Sequence, residues 1–335
     1  MQRTKTCVHQ AGGLLDTFRR PVALALWGLT GLVSCALWFG TVLPLTAQDA
    51  AAEKRAFDAA ARAFTDGVYD VAEKEFAQFV QQYPQSARLS EAILYQGQAM
   101  LKQNKLADGV RLLTNNVAQA GPLADQYRYF EAEAYLQNSN YRAAADTFAL
   151  LAKEFTNSVR LLEASYGEAQ ARFKLRDLGR VVELLQQPNG TFQQAAQVRA
   201  NDKLAVRGHL LLAEALYEQR NYRASEQALT RLAEPNLIPE FKWHRQYLMC
   251  RAQMADQRLP AALQGVTNLL ALAAASGQRN LLAESVALEG EAQERLGEFG
   301  AAIEAYEKNL LDNVPPDYIH IGSGLGGARV ERTWR

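Results

Sequence analysis

Four histidines, His9, His209, His244 and His320, and three cysteines, Cys7, Cys35 and Cys250, are the side chains most suited to hold a metal or attack a substrate. No two histidines stand four apart, the spacing that sets two imidazoles on one helical face, so no zinc site is expected. Cys7 and Cys35 lie before or within a long apolar run, which leaves Cys250 alone in the rest of the chain without a disulfide partner. Near the C-terminus, Gly322-Ser323-Gly324-Leu325-Gly326-Gly327 follows the apolar run Ile319-His320-Ile321 and satisfies the glycine pattern of a phosphate-binding turn. A dinucleotide site also needs a following helix, a second strand and an acidic residue about twenty positions on, and the sequence reaches Arg335 first. A Gly-rich tail is the expectation, with nucleotide or cofactor binding through it as an alternative. Asn189-Gly190-Thr191 fits a glycosylation acceptor, which matters only in a host that glycosylates exported proteins. No catalytic constellation emerges, so neither enzyme activity nor a cofactor nor a metal is expected.

Composition narrows the partners. Lys plus Arg equals Asp plus Glu at 36 each, which removes the overall attraction to phosphate backbones and argues against nucleic acid. A hydrophobic content of 48% is ordinary for a folded chain.

From Pro21 to Gln48 no residue is charged, and the run is long enough to cross a bilayer as one helix. Before it, Arg3, Lys5, Arg19 and Arg20 stand against Asp16 alone. The positive-inside rule therefore keeps a basic N-region, residues 1–20, in the cytoplasm and sends the chain beyond the 21–48 segment across the membrane, into the periplasm or cell envelope. Three fates are open. Cleavage after Ala47 has the required small residue at the cut, though Leu45 is bulky for the other recognition position. Retention as an anchor suits the length of the run. Leu32-Val33-Ser34-Cys35 resembles a lipobox, though the dozen apolar residues after Cys35 suit a plain membrane helix better.

What must position any functional side chain is a repeat. Turns ending in a large apolar anchor recur at Tyr69, Leu106, Tyr141, Leu178, Tyr222, Leu259 and Phe299. Nine residues before each anchor stand Ala60, Gly97, Ala132, Ala169, Ala213, Cys250 and Gly290, all small. Three after come Ala72, Gly109, Ala144, Val181, Ser225, Ala262 and Ala302; four further on are Phe76, Leu113, Phe148, Leu185, Leu229, Val266 and Tyr306, all large. Two antiparallel helices approach closely only where side chains are small, and large neighbours fill the space beside that contact. Cys250 thus reads as packing rather than a reactive thiol, and His209 and His244 fall on first helices without catalytic partners.

This pattern resembles the tetratricopeptide repeat across residues 53–311. The resemblance implies an all-α, right-handed solenoid of about seven helical hairpins, preceded by the hydrophobic N-terminal helix and followed by a Gly/Pro-containing tail, 312–335. It also implies a concave face lined by the first helices, binding other proteins or peptides. Phe76–Pro84, FAQFVQQYP, is similar to helices of the outer-membrane barrel assembly lipoproteins, which makes an envelope-assembly role a narrower alternative. The longer interval between Leu178 and Tyr222 contains Gln186-Gln187-Pro188-Asn189-Gly190 and predicts a loop there. The family's groove-facing offsets fall on Tyr129, Tyr166 and Tyr247, with Gln126, Glu133, Gln170 and Arg251 one turn away. These residues are the candidate partner contacts, and packing between neighbouring hairpins is the competing role for them.

Overall fold

The computed structural model of this protein describes residues 47–200, 202–232 and 237–309. The expectations for the basic N-region, for the apolar run from Pro21 to Leu45 with Cys35, and for the tail 312–335 fall outside the described residues.

Among the described residues there are fifteen α-helices and no strand. Seven hairpins follow one another. They are α1 (Ala47–Thr65) with α2 (Tyr69–Gln82), α3 (Leu89–Lys102) with α4 (Leu106–Asn116), and α5 (Ala124–Gln137) with α6 (Tyr141–Glu154). Then come α7 (Leu161–Lys174) with α8 (Leu178–Gln186), an inserted helix α9 (Thr191–Val198), and α10 (Lys203–Glu218) with α11 (Tyr222–Thr230). The last two are α12 (Pro239–Ala255) with α13 (Leu259–Ser276) and α14 (Arg279–Leu296) with α15 (Phe299–Lys308). Each second helix packs on its own first helix and, among the described residues, each but α15 also packs on the first helix of the next hairpin, so the core is a series of local clusters rather than one centre. Helix α1 starts at Ala47, earlier than the boundary at 53 that the sequence predicts.

Each hairpin turns in the same way. Two residues before each anchor, Gly67, Asn104, Ser139, Arg176, Arg220, Gln257 and Gly297 all take a positive φ, between 56° and 81°. The next residue donates its backbone N–H to the carbonyl five residues back, as in Lys105 to Met100 and Asn221 to Leu216, both 2.9 Å. The same bond closes the other five turns. This is the Schellman closure, which satisfies carbonyls that the helix end would otherwise leave without partners.

The small positions are where the helices touch. All seven residues nine before the anchor and all seven residues three after it are buried. Gly97 would place a β-carbon 2.7 Å from a Leu113 methyl, and Gly290 one 2.4 Å from the Tyr306 ring. Among the large positions Phe76, Leu113, Phe148, Leu185, Leu229 and Val266 are buried, and Tyr306 is half-buried. Burying each such side chain contributes about 1.5–3 kcal/mol.

The fourth hairpin has the predicted loop at residues 187–190 and adds a helix, α9, after it. Ten residues past the anchor, Phe79, Leu151, Leu232 and Leu269 are buried in other hairpins. In the fourth that place is Pro188, beyond the end of α8, and Phe192 of α9 supplies the buried apolar group instead. Its ring lies where a β-carbon on Gly208 of α10 would be, 2.3 Å from it, and edge-on to His209. Helix α13 is long and apolar enough to cross a membrane by length and composition. It buries Ala262, Val266, Leu269 and Ala273 against α12 and α14 at the ordinary repeat positions, as a solenoid element does.

Candidate partner-binding face

The seven candidate contacts sit on three first helices: Gln126, Tyr129 and Glu133 on α5, Tyr166 and Gln170 on α7, and Tyr247 and Arg251 on α12. All seven are half-buried. Helical spacing explains the grouping, because residues three or four apart share a face.

Two clusters form. In the first, Tyr129 donates its hydroxyl to Glu133, and the Arg160 guanidinium lies 4.9 Å from the Tyr129 ring centroid. The Tyr129 ring also meets Phe148 at 6.2 Å. Burial, then the Glu133 charge, raises the Tyr129 hydroxyl above its ordinary pKa. Burial raises the Glu133 carboxyl as well, against the pull of Arg160 and Lys102. In the second cluster the Arg251 guanidinium stands 4.6 Å from the Tyr217 centroid and 5.7 Å from that of Tyr247, which stacks on buried Trp243 at 4.9 Å. Burial works against the Arg251 charge, but Tyr247, Tyr217 and Glu214 outweigh it and hold the pKa above the usual value. Tyr166 lies between the clusters: burial raises its pKa, with Arg207, Glu214 and Glu133 as its charged surroundings.

The tyrosine rings thus pack against their own hairpin, Tyr129 on Phe148 and Tyr247 on Trp243, and stay half-buried. Among the described residues no hydrogen bond joins the side chains of Gln126 or Gln170 to the other five, so these two are wall rather than cluster. Sequence reasoning missed Arg160, Glu163, Arg207, Glu214 and Tyr217. Glu163 and Arg207 occupy the same repeat offset as Gln126, and Glu214 the offset of Glu133 and Arg251, so the repeat register could have found them. Arg199, between α9 and α10, donates to both Glu163 oxygens at 3.0 and 2.9 Å, a link no offset foretells.

The other candidates resolve as structure. Cys250 is wholly buried, its thiol pushed up to about 11 by burial. His209 packs on Phe192, and burial, with Arg231 nearby, lowers its pKa. His244 is buried beside Trp243. Asn189 and Thr191 are exposed. Among the described residues no group of three His, Cys, Asp or Glu is placed to hold a metal ion.

No family model matches the sequence, and no curated protein matches it. Solved structures do match in fold. The C-terminal part of a TPR repeat-containing protein from Cytophaga hutchinsonii superposes with a TM-score of 0.59 at 13% identity, over 78% of this chain and 98% of that one. The chain has the tetratricopeptide-repeat fold. A tetratricopeptide repeat protein from Parabacteroides merdae matches with a TM-score of 0.51 at 16% identity, over 80% of this chain and 95% of that one. The apo form of RapI matches with a TM-score of 0.58 at 9% identity, over 76% and 75% respectively. In this tetratricopeptide-repeat solenoid both tyrosine clusters lie on first helices, the elements that the repeat leaves free of a second-helix partner on one face.

Proposed function

We propose that this protein is a non-catalytic scaffold that binds other proteins or peptides along the face lined by its first helices. The observation that carries this reading is the wall built from Tyr129, Tyr166, Tyr217 and Tyr247 with Arg160, Arg207 and Arg251 among them. Tyrosine supplies apolar area with a polar tip at little cost in side-chain freedom, arginine adds a planar fork of donors that stacks on rings, and both are enriched where protein contacts carry their energy. The apolar segment 21–48 and the positive residues before it support a location beyond a bacterial-type inner membrane. The equal count of positive and negative residues supports a protein partner over nucleic acid.

The test is site-specific photo-crosslinking in the full chain in its native membrane. A crosslinker at Arg207, exposed on the first-helix face, should yield adducts that disappear with Tyr166→Ala, while one at exposed Glu183 on α8 should yield none. Equal adducts from both positions would count against the face. Addition of a membrane-impermeant protease to spheroplasts tests the location, since digestion of the repeats is expected there.

The narrower reading, an envelope-assembly factor, rests on FAQFVQQYP. In the structure Phe76 and Phe79 of that stretch are buried and meet Phe57 edge-on at 5.5 and 5.3 Å, so the likeness is one of packing. Absence of a palmitate-analogue label on Cys35 would remove the lipoprotein form of it.

A further inference from the structure

The end of the solenoid at the last hairpin is apolar where every earlier hairpin is covered. The anchors Tyr69, Leu106, Tyr141, Leu178, Tyr222 and Leu259 are half-buried, and each stands on a second helix that packs against the next hairpin's first helix. In the seventh hairpin the equivalent Phe299 is 64% exposed, and Ile303, one turn further along α15, is 58% exposed. The repeat register thus makes an apolar strip at this end and supplies no first helix to cover it among the described residues.

We propose that residues 310–335 of the same chain cover this strip, laying Tyr318-Ile319-His320-Ile321 across Phe299 and Ile303 where an eighth first helix would lie. Chain continuity favours this occupant. Helix α15 ends at Lys308, and earlier covers arrive soon after a second helix ends, as Leu89 does after Gln82 and Leu161 after Glu154. The stretch from Asn309 to Tyr318 can span up to about 30 Å when extended. That exceeds the roughly 15 Å length of a ten-residue helix such as α15. The tail offers the matching chemistry: an apolar run for the strip, and Arg329, Arg332 and Arg335 for the exposed carboxylates Glu298, Glu304 and Glu307 beside it. A second copy of the chain is the competing occupant. It would have to be recruited at cellular concentration, whereas the tail is always present.

Hydrogen exchange of the α15 amides tests this in three detergent-solubilised proteins: the full chain, the chain ended after Asn309, and the full chain carrying Ile319→Ser with Ile321→Ser. The amides of α15 should exchange at least tenfold faster in the second and third proteins, with α3–α6 unchanged and no dependence on protein concentration in the first. Equal α15 exchange in all three overturns the proposal. So does α15 protection that survives truncation and rises with protein concentration, which assigns this end to a second copy.

Discussion

Phe148 lies against Gly167 so closely that a β-carbon on the glycine would stand 2.5 Å from two atoms of the ring. Phe148 is the large residue of the third hairpin and Gly167 belongs to the first helix of the fourth, so this contact sets the spacing between hairpins. The ring is wholly buried and has no free direction in which to move. Gly167→Ala should destabilise the fold by about 1–3 kcal/mol, the usual result of overpacking. At Gly179 in α8 a β-carbon would meet nothing within 4 Å, and Gly179→Ala should stabilise by roughly 0.5–1 kcal/mol. Urea unfolding of the two variants reads both signs; a shift in the same direction for both would contradict the packing account.

The turns give a second prediction. Arg220 and Gln257 hold φ of 62° and 61°, the left-handed region that costs an L-residue about 1–2 kcal/mol. Glycine relieves that strain and returns part of the gain as lost chain entropy. Arg220→Gly and Gln257→Gly should therefore each raise stability by about 0.5–1 kcal/mol. Gly297→Ala, at φ 81°, should lower it by a similar amount. Thermal melts of the three single variants check the signs.

How much of this was legible in the sequence depends on what each residue has to do. The small and large positions could be read because helix contact imposes a size limit, and all fourteen small ones are buried. The left-handed turn residue could be read only at Gly67, Asn104 and Gly297; Arg176, Arg220 and Gln257 carry no mark, since the Schellman bond and the flanking packing hold them in that conformation. Helix α9 was hidden because Pro188-Asn189-Gly190 signals a break and TFQQAAQV after it is short. On the candidate face the individual tyrosines were legible from repeat offsets, but their partners were not. Arg160 and Arg199 reach the face from segments outside the first helices, and which hairpin they reach depends on the angle between helices.

Cys250 fills the small position of the sixth hairpin, with its thiol raised to about 11. At pH 8 it is therefore protonated as well as buried, and the thiolate that reacts is scarce. Titration with a thiol reagent at pH 8 should count the same number of native thiols in wild type and Cys250→Ala. In denaturant the variant should count one fewer. Native reaction at Cys250 would show that the sixth hairpin opens.

Glu133 supplies a pH dependence. Its folded pKa lies above the ordinary 4.5, because burial disfavours the carboxylate more than Arg160, Lys102 and the Tyr129 hydroxyl favour it. The folded state then holds a proton that the unfolded state has released, so stability falls as pH rises from about 4.5 to the raised value and is flat above it. Glu133→Gln removes this titration. The stability of wild type relative to the variant should decline across that window, measured by urea midpoints at closely spaced pH. A difference that stays constant with pH would mean Glu133 titrates as an exposed carboxyl does.

Arg251 and Tyr217 offer the most direct dissection of the second cluster. Their contact joins α12 to α10, so it acts both on the interface between hairpins and on the face proposed to bind partners. A guanidinium over a ring is attracted by the ring's negative face, about 0.5–1 kcal/mol where exposed and up to about 2 where desolvated. Removing Arg251 alone also loses the packing of its stem, so a single variant overstates the pair. A double-mutant cycle of Arg251→Met and Tyr217→Leu keeps apolar volume at both sites and isolates the coupling. The expected coupling is roughly 0.5–2 kcal/mol in favour of the native pair. Because both side chains are neutralised or shortened without opening a cavity, a coupling near zero would show that the guanidinium spends its time in solvent. The Arg251 arm of the second cluster would then be free to meet a partner rather than held by its own chain.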